Sequence, residues 1–388
     1  MAPILPFTKP SPVELFAVED TSAQITWRRL PDGDLTARIG DVEQVLGDAG
    51  RAGAAELTGL VPSTSHVVDL LVNGHVIAQP TVRTPATLGS RPLARIATIS
   101  DLHLGEEGFG LVKRMTDRRV GSYPLRCARA AVSEALAWGA ELVVIKGDIT
   151  NRGLPDEWEM FDQLLAEIPV PVLAVPGNHD VVGTGQSIDA TEALRSRGLF
   201  PAPVHTFELD GIRILMVDST IPGRNWGRIG LWLDDLTAAV DTDRPVLIFT
   251  HHHLEEYVLP WLWPPGIRRH DGTPVLEQLL AVNPDIIFSS GHTHRNRIRQ
   301  RGTALITEVS STKDFPGVWA GYTVHGSGVH QSTRRVADPS CIEWTDRTHA
   351  VVAGIWGLWS PGALHDRSHT HRWSVDRAAD PPREALAH

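Results

Sequence analysis

Five apolar runs in this chain each end in a short cluster of Asp, Asn or His, and this repeated pattern constrains the fold more than any other feature of the sequence. Arg95–Ser100 leads into Asp101-Leu102-His103, and Glu141–Ile145 into Gly147-Asp148. Val170–Val175 leads into Gly177-Asn178-His179-Asp180. Pro245–Thr250 meets His251-His252-His253, and Asp285–Ser289 meets Gly291-His292-Thr293-His294. Short apolar runs of this kind read as strands, and two more are expected at Arg213–Val217 and Ala304–Val309. Between them, Arg126–Trp138, Glu157–Ile168, Leu231–Val240 and Val275–Ala281 carry apolar residues three and four apart, the period of a helix. Strands alternating with helices predict a layered α/β domain from about residue 92 onward. Open α/β sheets bind ligands beyond the carboxyl ends of their strands, so the five clusters are expected to meet on one sheet edge.

The residue types in the clusters are metal ligands. Imidazole and carboxylate suit zinc, iron or manganese. Cys127 and Cys341 are the only cysteines, too few for a thiolate zinc site or a disulfide framework, and they read as buried, reduced thiols. Asp101 and His103 are two apart and would face the same way in extended backbone, as would His292 and His294. Two divalent ions about 3.5–4 Å apart need a carboxylate between them to offset their repulsion. Asp148, alone after a glycine that permits a sharp turn, is the expected bridge. Of His251, His252 and His253 only one need be a ligand. Neighbours on an extended segment point to opposite faces, so with His251 as ligand His252 would turn away and His253 could line the pocket.

In order, the motifs D-x-H, G-D, G-N-H-D, H and G-H-x-H resemble those of the calcineurin-like metallophosphoesterases, from roughly Asp101 to His294. That resemblance implies an αββα sandwich around a centre of two divalent or trivalent ions (Mn, Fe or Zn). Asp101, His103, Asp148 and His294 would hold the first ion. Asp148, Asn178, His251 and His292 would hold the second, the family pattern favouring the first His of the triplet. His179 would be catalytic rather than a ligand, placed beside the phosphate to stabilise charge and protonate the leaving oxygen. Asp180 would orient His179 through a hydrogen bond, or else be a turn residue. The implied reaction is hydrolysis of a phosphate ester by a hydroxide bridging the two ions, with no covalent intermediate. Arg152 is either a phosphate contact or a surface residue without a role.

The branches of the family differ at a few positions. Purple acid phosphatases also carry a fibronectin-like module, but they place Tyr where Asn151 stands and have no counterpart of His103. Protein Ser/Thr phosphatases read G-D-x-x-D-R-G and G-N-H-E, against Asn151 and Asp180 here. The set is most similar to class III cyclic nucleotide phosphodiesterases and their glycerophosphodiesterase relatives. The implied partner is a small phosphoester substrate, with a cyclic nucleotide as the named candidate. A phosphomonoesterase and a non-catalytic interaction protein of the same fold are the alternatives. The aromatic-rich loop 255–265 and Asn225-Trp226 would stack a base, form a lid or pack on their own domain.

Outside this region the signals are simpler. Residues 1–88 show short strands, among them Ser22–Trp27 with Ala23, Ile25 and Trp27 alternating, and a run ending at Val72 closed by Asn73-Gly74. Leu57-Thr58-Gly59-Leu60-Val61-Pro62-Ser63-Thr64-Ser65-His66 resembles the fibronectin type III signature, with His66 where that family has Tyr, and implies a β-sandwich. Thr84–Pro92 reads as a linker. With 36 Lys plus Arg against 46 Asp plus Glu the chain carries a formal charge of −10, which argues against nucleic acid as a partner. It shows neither a basic start with an apolar run nor about 18 consecutive apolar residues, so a soluble cytoplasmic protein without a membrane partner is expected. Residues 336–388 hold Trp344, Trp356, Trp359 and Trp373 and a strand-like Val351–Ile355. This third segment, after a catalytic domain at 92–335, is expected to pack on that domain or on a second copy of the chain. The run His365 to His371 reads as a solvated tail or an adventitious metal binder, and the chain from Asp380 as frayed.

Overall fold

The computed structural model describes residues 12–89, 91–110, 114–183, 186–256 and 264–374. The chain parts into two compact units between Ala86 and Thr87. In the first unit every element is a strand. One antiparallel sheet has the order Val13–Val18, Ser22–Trp27, Gly53–Thr58. A second has the order Val42–Asp48, Asp34–Ile39, Asp69–Val72, His75–Ala78. Asn73 and Gly74 close its last hairpin with φ of 52° and 77°, the left-handed pair that matches the twist of the strands they join. Trp27 is buried, and its Nε1 donates to the Asp48 carbonyl at 3.0 Å.

The second unit holds two six-stranded sheets. The first runs in the order Val172–Val175, Leu142–Lys146, Ala94–Ile99, Val318–His325, Gly328–Arg335, Ser368–Arg372. Its first three strands are parallel to one another. Helices Tyr123–Ala137 and Pro155–Leu165 make the crossovers that parallel neighbours require. The second sheet runs Val204–Leu209, Ile212–Val217, Val246–Phe249, Ile286–Ser290, Ala304–Glu308, Arg297–Arg301, with its four central strands parallel. Helices Leu233–Val240 and Arg269–Val282 cover its outer face. There Leu215, Val217, Val246, Ile248, Ile286, Phe288 and Ile306 form one core with Leu236, Val275 and Leu279.

Strand residues of the other parity point between the sheets, as a two-residue repeat demands. The Tyr322 hydroxyl of the first sheet lies 2.8 Å from Ser289 Oγ and 3.3 Å from Thr307 Oγ1 of the second. The Lys146 ammonium donates across the same gap to Ser289 Oγ and to the Ser290 carbonyl, at 3.3 and 3.0 Å. Burial pushes Lys146 down to about 7, against the pull of Asp101. The expected αββα sandwich is therefore the fold of this unit.

Several local expectations are corrected. Helix Arg269–Val282 begins ahead of the expected Val275 and continues through Pro274. Helix Tyr123–Ala137 also starts earlier than expected, where Ser122 caps it by accepting from the Leu125 amide. Val351–Ile355 is not a strand: Val352–Gly354 is a left-handed turn that enters helix Ile355–Trp359. His365 to His371 is not a solvated tail, because Ser368–Arg372 pairs with Gly328–Arg335 as the edge of the first sheet. Helix Pro339–Thr348 packs on the catalytic unit, with the Trp344 and Tyr123 rings 4.0 Å apart. The end of the chain from Asp380 lies outside the described residues. Among the described residues no helix is long and apolar enough to cross a membrane.

Tyr322→Phe removes the hydroxyl that ties the two sheets while Lys146 still serves Ser289. A loss of about 1 kcal/mol is expected, read as a lower urea midpoint for the catalytic unit with an unchanged slope.

Candidate active site

The carboxyl ends of adjacent strands from both sheets meet at one place. Asp101 and His103 follow Ala94–Ile99, Asp148 follows Leu142–Lys146, and Asn178 and His179 follow Val172–Val175. His251 follows Val246–Phe249, and His292 and His294 follow Ile286–Ser290. Asp101, His103, Asp148, His251 and His292 are all buried.

The Asp148 carboxylate stands between two groups of donors. Its Oδ2 is 3.4 Å from His103 Nε2 and its Oδ1 is 3.3 Å from His251 Nε2. On the second side, the ring hydrogen bonds fix which nitrogens face inward. His251 Nδ1 donates to the Lys146 carbonyl (2.8 Å) and His292 Nε2 to the Pro265 carbonyl (3.0 Å). That turns His251 Nε2 and His292 Nδ1 toward each other at 3.2 Å, with Asn178 Oδ1 3.0 Å from the former. On the first side, His294 Nδ1 donates to Asp314 Oδ2 (2.7 Å), turning Nε2 toward Asp101 Oδ1 at 3.5 Å. Both ring nitrogens of His103 are buried without a hydrogen-bond partner among the described residues. Ligand atoms crowded in this way around a buried carboxylate call for positive charge among them, and the donor set fits a metal. Asp101, His103 and His294 lie within 4.8 Å of one another by their ligand atoms, as do Asp101, Asp148 and His251.

The electrostatics agree. Burial pushes His103 and His292 well below the ordinary imidazole range, toward the neutral form that ligates. Burial alone would raise the Asp148 carboxyl, but His251, His179 and His103 around it hold it well below the usual carboxylate range. Burial opposes a charge on His251 too, yet Asp148 outweighs it and pushes that imidazole up to about 9.

The backbone corrects one expectation. Asp101, His103, His292 and His294 are not extended: their φ values of 55°, 48°, 65° and 50° are left-handed, and Asp148, at the expected turn, shares that conformation at 47°. Such conformations are rare outside glycine and cluster at functional sites, held by their surroundings. The motif glycines provide part of that support. Gly147 has φ of 79°, and a Cβ there would lie 2.7 Å from His251 Nδ1. A Cβ on Gly177 would meet the Asp148 amide at 2.1 Å, and one on Gly291 would meet Ser100 Oγ at 1.9 Å.

Other expectations fare differently. His252 does not turn away. Its ring packs 4.6 Å from that of His292, with Nδ1 2.9 Å from Ser219 Oγ. His253 is not among the residues lining the cavity and instead stacks near His292. His179 keeps its place beside the donors: its Nδ1 is 3.0 Å from the Asn151 carbonyl, its amide donates to Asp148 Oδ1 at 2.8 Å, and it lines the cavity. Asp180 does not orient His179. Its buried carboxylate accepts from the amides of Ile149, Thr150 and Gly177 (3.2, 2.7 and 2.8 Å) and from Thr150 Oγ1 (2.6 Å). It is a positioning residue that fastens the Asp148 loop to the Asn178 loop. Arg152 is exposed. Asn225 lines the cavity, whereas Trp226 lies against Arg268. Residues 257–263 of the aromatic loop lie outside the described residues.

The sequence reading missed Asp314, Lys313, Glu106, Phe109 and Trp356, which line or support the same cavity of about 220 Å³. The signal was present: strand Ala304–Glu308 is followed by the buried polar run Ser310-Ser311-Thr312-Lys313-Asp314, a sixth cluster of the same kind.

Comparison with known proteins gives the same answer. The calcineurin-like phosphoesterase family model matches residues 94–296. A probable cyclic nucleotide phosphodiesterase of Psychrobacter sp. is 27% identical over 204 residues, 49% of this chain and 57% of that protein. The 3′,5′-cyclic adenosine monophosphate phosphodiesterase of Pseudomonas aeruginosa is 29% identical over 234 residues, 59% of this chain and 79% of that one. A glycerophosphodiester phosphodiesterase of Enterobacter lignolyticus is 27% identical over 242 residues, 56% of this chain and 79% of that one.

Asp180→Asn weakens the anchor between the two loops. Metal content after equilibration with manganese is expected to fall, with affinity down about 10–100-fold. An Asp180 acting through His179 would instead leave metal content unchanged.

Proposed function

This chain belongs to the calcineurin-like phosphoesterase family, and we propose that it is a phosphodiesterase with a two-metal centre. The observation that carries this reading is the Asp148 carboxylate, with one oxygen toward His103 and the other toward His251. Asp101, His103, Asp148 and His294 would hold one ion, and Asp148, Asn178, His251 and His292 the other. Bound there, a pair of ions polarises phosphoryl oxygens and supplies a nucleophilic water at neutral pH.

The chain's own residues contribute the rest. With Nδ1 held on the Asn151 carbonyl, His179 presents Nε2 to the cavity, where it can protonate the leaving oxygen. Asn178 brings a neutral amide oxygen, which keeps the charge at its side of the centre high. Asp314 fixes the tautomer and direction of His294, and the Pro265 carbonyl does the same for His292. The relatives named for cyclic nucleotides and for glycerophosphodiesters support a small diester as the substrate class.

We read the first unit as a fibronectin type III-like module. Its two larger antiparallel sheets support that reading, and so does His66, whose Nε2 reaches back to the Val61 backbone at 3.1 Å. Sandwiches of this kind make a similar tie with a tyrosine hydroxyl.

Metal-stripped protein reloaded with manganese is expected to hydrolyse bis(p-nitrophenyl) phosphate faster than the monoester, and 3′,5′-cyclic AMP as well. A preference for the monoester would make it a phosphomonoesterase, and failure to bind metal would make it a scaffold. Asp148→Ala is expected to lose both metal and activity. His179→Ala should keep its metal and lose about 10²–10⁴-fold in turnover; metal loss in that variant would contradict the role given to His179.

A further inference from the structure

The metal-ligand side of the cavity is polar, but the wall beside His294 is apolar and comes largely from the last part of the chain. Val351, Val352 and Trp356 line it, together with Phe109. The Phe109 and Trp356 rings lie 5.4 Å apart at 62°, and the Trp356 ring is 5.8 Å from that of His294. Val352 is 43% exposed and Trp356 half-buried, so this apolar surface faces the cavity instead of filling a core.

Its position is fixed by two devices. Trp356 Nε1 donates to Asp314 Oδ1 at 3.1 Å, while the other oxygen of that carboxylate takes the His294 ring. One carboxylate thus sets both a predicted ligand and the aromatic wall. The second device is the backbone of Val352 and Ala353, with φ of 54° each, followed by Gly354 at 86°. A β-branched residue in that region is an outlier that persists only where its surroundings over-determine it.

We propose that Phe109, Val352 and Trp356 form the subsite for a planar ring carried by the diester, so that the site takes phosphodiesters bearing a nucleobase or aryl group in preference to aliphatic ones. This rests on the phosphodiesterase reading above and deepens it. A phosphoryl group at the Asp148 side leaves its substituent within reach of this wall, where a planar ring meets Phe109, Trp356 and Val352. An aliphatic polyol gains little from such a surface and gives up hydration to reach it.

The test is binding, independent of turnover. Calorimetry on the manganese-loaded protein compares adenosine 5′-monophosphate with glycerol 3-phosphate. The nucleotide is expected to bind about tenfold tighter. Trp356→Ala should bring the ratio of the two affinities close to one. Trp356→Phe, which keeps a ring without the indole N–H, should retain most of the difference. Phe109→Leu gives a second reading in case the tryptophan variant is poorly folded, and should narrow the gap several-fold. Equal affinities in the unsubstituted protein, no binding of either ligand, or a parallel loss of both ligands in Trp356→Ala would overturn the proposal. Diester hydrolysis without a nucleotide advantage would remove the subsite and keep the phosphodiesterase. A nucleotide advantage without hydrolysis would do the reverse.

Discussion

The Asp148 carboxylate joins two groups of electron-pair donors in a place from which bulk water is largely excluded, and much of the catalytic unit is arranged to make that tolerable. Two imidazole nitrogens, an amide oxygen and carboxylate oxygens facing one another inside a protein are costly unless a cation sits among them. The structure relieves that crowding only in part, through bonds such as those of the His179 amide to Asp148 and of the His292 amide to Asp101. It uses others to point ring nitrogens inward: Lys146 and Pro265 carbonyls hold the far sides of His251 and His292, and Asp314 holds the far side of His294. The loops can come this close because Gly147, Gly177 and Gly291 have no side chain where a neighbour already stands.

The donors belong to different sheets. Asp101, His103, Asp148 and Asn178 rise from the first, His251, His292 and His294 from the second. Neither sheet alone carries a complete set, so the geometry of the centre is set by how the two sheets face each other. Tyr322 and Lys146, which bond across the gap just beneath the centre, are part of that setting even though they touch no donor cluster by their side-chain tips.

Much of this was legible in the sequence, for a physical reason. A strand followed at once by Asp, Asn or His announces both its sheet position and its chemistry, so the αββα fold and the meeting of Asp101, His103, Asp148, Asn178, His251, His292 and His294 could be read from the order of motifs. What sequence periodicity does not carry is backbone conformation in loops. The spacing of Asp101 and His103 suggested extended backbone, and the chain instead turns left-handed at both. Asp180 adjoins His179 in sequence but takes three donors from the Asp148 loop and one from its own. Val351–Ile355 has the composition of a strand, but the glycine at 354 and the packing of Trp356 make a turn and a short helix of it. The run after Ala304–Glu308 was overlooked because serine, threonine and lysine do not look like ligands, although Asp314 supports one.

Left-handed backbone at Asp101, His103, Asp148, His292 and His294 places two demands on the same five positions. Asn, Asp and His are the side chains that best tolerate that conformation, and they are also the residues that bind hard and borderline ions. A descendant that had given up catalysis would still be held to nearly the same alphabet there by its loops alone. Asn178 and His251 are under no such restraint, since neither has a positive φ. In related chains of this architecture, those two positions are where loss of the chemistry can first be written into the sequence.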